Sequence, residues 1–212
     1  MEMLRMDHIT KIYPNGFVAN KDVTFAVNEG EIHSLVGENG AGKTTLMKIL
    51  FGMEDKQGGD IFIREQKVKI TSPLDAISKG VGMVHQHFML LNSLTVAENV
   101  VLGIEPMKNG LFDFEEAVVM TQKIADKYNF ALDARTRVKD LSVGQMQKVE
   151  ILKALIKGAR VLILDEPTAV LTPQETEELF EQLLLLREDG HAIIFISHKL
   201  EEVMRLCSRV TV

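Results

Sequence analysis

Short apolar runs with polar boundaries set the pattern of this chain. Thr24-Phe25-Ala26-Val27 and Glu31–Val36 read as strands on either side of the turn-forming Asn28-Glu29-Gly30. A second β-rich patch, Asp60–Ile63 and Val68–Ile70, follows Gln57-Gly58-Gly59. Val161–Leu164 and Ala192–Ile196 are apolar without alternation, the pattern of strands covered on both faces. Helices announce themselves by their caps. Ser72 caps a helix opened by Pro73 and stopped by Gly80. Thr95-Val96-Ala97-Glu98 and Thr172-Pro173-Gln174-Glu175 fit the capping box, in which hydroxyl and carboxylate satisfy orphan amides reciprocally. The second opens a helix that runs to about Asp189 and ends at Gly190. From about Phe88 to Gly158 the pattern is mostly helical, with no strong strand signal. These blocks flank alternating strands and helices at Glu31–Phe51 and Val161–Cys207, and such alternation predicts an α/β fold with a parallel sheet. Arg209–Val212 reads as a strand just beginning, so the chain is expected to be a truncated piece of a longer protein.

Composition narrows the classes. With 212 residues, 46% apolar and 25% charged, the chain suits one full-sized globular domain. A net charge of −6 leaves no basic footprint for nucleic acid. No apolar run approaches the roughly 20 residues that span a bilayer, so any membrane contact is expected to go through a protein partner. Met1-Glu2-Met3-Leu4-Arg5 carries acid early and lacks a signal-peptide core. The single cysteine, Cys207, forms no intrachain disulfide and reads as buried filler.

The candidate chemistry begins with Gly37-Glu38-Asn39-Gly40-Ala41-Gly42-Lys43-Thr44, an uninterrupted P-loop pattern. Its glycines let backbone amides turn inward around phosphate oxygens. Lys43 brings positive charge to the β- and γ-phosphates, and Thr44 offers a hydroxyl to Mg²⁺. The helix expected from Thr45 to Phe51 aims its positive end at the anion, and Ile32–Val36 is the strand that must precede such a loop. Val161-Leu162-Ile163-Leu164-Asp165-Glu166-Pro167 then delivers two carboxylates to the carboxyl edge of the sheet, where ligands of α/β folds bind. Asp165 is expected to hold Mg²⁺ and Glu166 to polarise an attacking water. ATP with Mg²⁺ is the ligand pair these motifs imply.

With Leu141-Ser142-Val143-Gly144-Gln145 the sequence resembles the ABC ATPase family, whose signature is Leu-Ser-Gly-Gly-Gln; Val143 is the one departure. The resemblance covers nearly the whole chain. It implies a P-loop NTPase (RecA-like) core with a mostly parallel sheet, an antiparallel β subdomain and an inserted helical subdomain. The core and β subdomain would take residues 1–87 and 159–212, the helical subdomain 88–158, together a single ABC ATPase domain. It further assigns Tyr13 to adenine stacking and the loop residues Gly37 to Thr45, including Glu38, Asn39, Gly40, Ala41 and Gly42, to the phosphates. Ser142, Gly144 and Gln145 would complete the ATP site of a second cassette, head to tail. Gln86, in Val84-His85-Gln86-His87, matches the Q-loop glutamine that senses Mg²⁺ and meets a transmembrane partner. His198 matches the switch histidine at the γ-phosphate. Catalysis would thus rest on Glu166, His198, Lys43 and Gln86, and metal binding on Thr44, Gln86 and Asp165. Thr172 stands where most members carry Asp in the D-loop. With the segment Leu91–Asn99, it makes the chain most similar to the first cassette of tandem importers of simple sugars and nucleosides. That implies a second cassette, tandem or homodimeric, permease subunits, a substrate-binding protein and a place on the cytoplasmic face of the cell membrane. Two other classes fit less of the sequence. A soluble ABC ATPase without transport duty would carry long coiled-coil insertions or a basic surface. A P-loop kinase leaves Leu141–Gln145, Gln86 and His198 unexplained.

Overall fold

The computed structural model describes residues 1–212 except Asn39 and His87. Strands β1 (Glu2–Ile12) and β2 (Val18–Asn28) pair antiparallel, and β3 (Ile32–Leu35) leads into helix α1 (Lys43–Leu50). Then come β4 (Gly58–Ile63), β5 (Gln66–Val68), α2 (Pro73–Ser78) and β6 (Val81–Val84). The helical stretch holds α3 (Val96–Val100), a two-residue-armed hairpin β7 (Met107–Lys108) and β8 (Leu111–Phe112), α4 (Phe114–Lys127) and α5 (Val143–Ile156). β9 (Val161–Asp165), α6 (Pro173–Glu188), β10 (Ala192–Ile196), α7 (Leu200–Leu206) and β11 (Arg209–Thr211) complete the chain.

Two sheets organise these elements. One is antiparallel, in the order β2-β1-β4-β5. The other is parallel, in the order β11-β3-β10-β9-β6. Its register aligns the strand ends: Ile196 lies beside both Asp165 and Leu35, and Leu164 lies beside Val84. The loops that leave β3, β6, β9 and β10 therefore emerge along one edge.

The apolar runs in β9 and β10 are buried on both faces because the sheet divides the core. Ile32, Val84, Leu162, Leu164, Ile193 and Phe195 pack with α5, α6 and the helical stretch. Leu35, Met83, Val161, Ile163, Ile194 and Ile196 pack with α1 and the antiparallel sheet. Neighbouring residues on one strand serve opposite layers, which is the period-2 geometry of a strand.

The capped helices lie where their sequence signals put them. Ser72 Oγ accepts from the Asp75 amide, and both capping boxes, Thr95–Glu98 and Thr172–Glu175, are complete. Several strands differ from the sequence reading. β1 runs through residues whose alternation is broken by register shifts, with His8 in a left-handed conformation (φ 53°). β5 begins two residues earlier than Val68, and β6 is a strand where none was expected. The stretch expected to be mostly helical, without a strong strand signal, contains the β7–β8 hairpin, turned by Asn109-Gly110 at φ 53° and 81°. That dipeptide is the favoured turn for tight hairpins, and the signal was legible but isolated.

Candidate active site

The P-loop joins the end of β3 to α1, and its shape depends on Gly42. Gly42 sits at φ 89°, and a Cβ there would lie 2.2 Å from the Ala19 carbonyl oxygen and 2.8 Å from Asn20 Nδ2. The buried Asn20 amide donates to the Gly42 carbonyl at 3.3 Å, so β2 grips the loop from outside. Lys43 Nζ arches back over the loop, donating to the carbonyls of Gly37 at 2.7 Å and Glu38 at 2.9 Å. The N-cap of α1 has no side-chain cap and its first turn carries no acidic residue. The positive end of that helix is thus left to act on an anion.

β9 supplies the opposite wall. Thr44 Oγ1 donates to Asp165 Oδ2 at 3.5 Å. Burial lifts the Asp165 carboxyl above its ordinary range and the neighbouring Glu166 charge lifts it further, while the Thr44 hydroxyl pulls the other way. A carboxylate and a hydroxyl in such a place form a hard-oxygen set that a divalent cation would relieve electrostatically. The residues present therefore fit Mg²⁺. Glu166 adopts a left-handed backbone (φ 49°), fixed by its N–H donating to the Ile196 carbonyl at 3.0 Å. Its Oε1 accepts from His198 Nδ1–H at 3.1 Å.

Lys43, Thr44, Thr45, Gln86, Asp165 and Glu166 line one cleft of ≈ 470 Å³ with Gly40, Ala41 and Gly42. Phe17 is the aromatic ring among the described residues lining it, and sequence reasoning passed over it. Tyr13 stands behind, its ring centroid 6.3 Å from that of Phe17 and its hydroxyl 3.4 Å from Thr45 Oγ1. The signal was a second aromatic just past the turn Pro14-Asn15-Gly16, where the Tyr13 N–H donates to the Phe17 carbonyl at 2.9 Å. Asn39, assigned to the phosphates, and His87 beside Gln86 lie outside the described residues.

The signature residues stand apart from this cleft. Ser142 caps α5 and forms a complete capping box with Gln145. Ser142 Oγ–H and the Gly144 N–H both donate to Glu175 Oε1, each at 3.2 Å. No sequence signal pointed to Glu175 in that position. Cys207 is a half-buried thiol that burial pushes up to about 11, which suits filler and not a nucleophile.

A glycine cradle with its lysine, facing an Asp-Glu pair at the carboxyl edge of a parallel sheet, defines a P-loop nucleotide-binding protein. The chain belongs to the ABC transporter family, whose sequence profile matches residues 20–169, and it is an ATP-binding cassette of that family. It is 48% identical to the glucose import ATP-binding protein of Haloferax volcanii, over 99% of this chain and 43% of that one. It is 50% identical to the guanosine import ATP-binding protein of Bacillus subtilis and 44% to the ribose import ATP-binding protein of Yersinia pestis, each over 99% of this chain and 41% of the relative. The chain thus spans about two fifths of the length of these relatives. Among solved structures it resembles an ATP-binding cassette of an ABC transporter in its ADP conformation, with TM-score 0.87, 26% identity, and 99% and 86% of the two chains covered. It also resembles a dimeric bacterial ABC transporter cassette, with TM-score 0.81, 27% identity, and 98% and 93% covered.

Proposed function

We propose that this chain hydrolyses ATP by in-line attack of water on the γ-phosphate and energises a membrane transporter that imports a simple sugar or a nucleoside. The observation that carries the reading is the Glu166–His198 pair at the cleft that Lys43 and Thr44 line. Lys43 and the loop amides offset phosphate charge. Glu166 holds the attacking water, and His198 steadies the Glu166 carboxylate and reaches the γ-phosphate. Thr44 and Asp165 would hold Mg²⁺ with Gln86 nearby, and the ion would supply charge neutralisation on the phosphate oxygens. Phe17 and Tyr13 form the aromatic rim for the base. Little covalent chemistry falls to the protein, so the rate depends on positioning.

The signature residues Ser142, Gly144 and Gln145 do not line this cleft and serve the ATP of a second cassette. The chain works as one cassette, with 88–158 as its helical part, set on permease subunits at the cytoplasmic face of the membrane, with a substrate-binding protein upstream. The import duty rests on the glucose, guanosine and ribose importers named above. Turnover measured against chain concentration tests the composite site. Rates per chain should rise with concentration, and Glu166→Gln should dimerise on size exclusion with ATP. Turnover per chain that is constant down to nanomolar concentration would refute it.

A further inference from the structure

The signature of this chain is engaged from within. Glu175 lies in the first turn of α6, where its Oε2 accepts from the Thr172 N–H at 3.0 Å and the Thr172 hydroxyl at 3.0 Å. That completes the cap of α6 and needs only one carboxylate oxygen. The cap of α5 is likewise complete without Glu175: Ser142 Oγ accepts from the Gln145 N–H at 3.2 Å, and Gln145 Oε1 accepts from the Ser142 N–H at 2.9 Å. Glu175 Oε1 nevertheless reaches across to the Ser142 hydroxyl and the Gly144 amide. The glycine is buried beneath this side chain, and a Cβ on it would lie 2.5 Å from Oε1 and 2.9 Å from Cγ. A hydroxyl has one proton and an amide one hydrogen, so neither group can serve the carboxylate and a phosphate at once.

We propose that Glu175 is an internal anion that occupies the signature site and must be displaced before the γ-phosphate of a partner cassette can bind there. This rests on the composite-site reading above. The displaced carboxylate would remain bonded to Thr172 through Oε2, because that oxygen has its own donors. Engagement of the signature is thereby felt at Thr172, at the end of the segment that follows Glu166. The bonds from both helix starts hold the Glu175 carboxyl below its usual range, so it stays charged at neutral pH and repels an incoming phosphate.

The variant Glu175→Gln keeps a capping-box residue at that position and removes the charge. The comparison is made in a Glu166→Gln background, by sedimentation at saturating MgATP. Adding Glu175→Gln should tighten the dimerisation constant about ten-fold, because a like-charge contact with phosphate is removed. Binding of a fluorescent ATP analogue to the monomer should be unchanged. An equal or weaker dimer at equal ATP occupancy would overturn the proposal. If neither protein dimerises while both bind ATP, the composite-site reading has failed, and the Glu175 contact is judged separately by nuclear magnetic resonance. Inorganic phosphate should then shift the Gly144 amide saturably in Glu175→Gln and not in the protein that retains Glu175, and equal responses would overturn it.

Discussion

Lys43 and Glu166 divide binding from chemistry. Lys43→Ala removes the charge that arches over the loop, and ATP affinity should fall about ten-fold or more by isothermal titration. Glu166→Gln keeps the shape but not the basicity, so ATP should still bind while turnover falls about 10²- to 10⁴-fold, the range for losing a positioned base. Gly42→Ala combines a left-handed backbone with a Cβ placed against Ala19. It should lose nucleotide binding, checked by the same titration, even though no functional atom is removed. These residues were legible because a P-loop and an apolar strand ending in Asp-Glu are contiguous in sequence, and each position has a chemical reason. Phe17 and the second contact of Glu175, beyond its capping box, were not, because they depend on what lies opposite. Phe17 reaches the cleft through a turn, and Glu175 accepts from an amide at a helix start more than thirty residues before it.

Among the elements, capped helices were easier to read than strands. A cap is a local contract between side chain and backbone, whereas a strand is defined by partners elsewhere. Thr95→Ala should cost about 1 kcal/mol of unfolding free energy, measured in urea, because the Thr95–Glu98 box at the start of α3 loses its hydroxyl. Leu162→Ala should cost more, roughly 2–5 kcal/mol, because its side chain is fully buried in the middle of β9. β6 escaped sequence reading because Val81-Gly82-Met83-Val84 is short, and its glycine suits a helix or a strand poorly. The structure gives that glycine a reason: a Cβ would lie 2.8 Å from Ala154 on α5 and 2.9 Å from Ala159, so helix and strand pack closely there. β1 escaped for a different reason, since its register shifts disrupt the alternation that marks a half-buried strand.

For the molecule as a whole, stability should fall as the pH drops below about 6.5. Burial lowers the pKa of His33, His85 and His191 from 6.5, so the unfolded chain takes up protons first. Stability from these residues is therefore full above the unfolded value and lost as pH falls toward the folded ones. His8, exposed beside Asp22, has its pKa raised and titrates in the opposite sense. His191→Gln should flatten the fall in melting temperature between about pH 7.5 and about pH 5.5, because one of the linked ionisations is gone. It should not abolish the fall, since His33 and His85 remain. The fold class was legible from the alternation of strands and helices, but the strand order was not, because nothing local sets which strand lies beside which. That order has a consequence for how the protein is made. β3 is flanked by β10 and β11, and Ile32 pairs beside Ile193, about 160 residues later in synthesis. At roughly 5–20 residues per second, a ribosome leaves the first strand of this sheet without its neighbours for on the order of ten seconds. Nascent chains halted before Ala192 should accordingly fail to retain ATP, and the newly made strand is the stretch a chaperone would have most reason to shield.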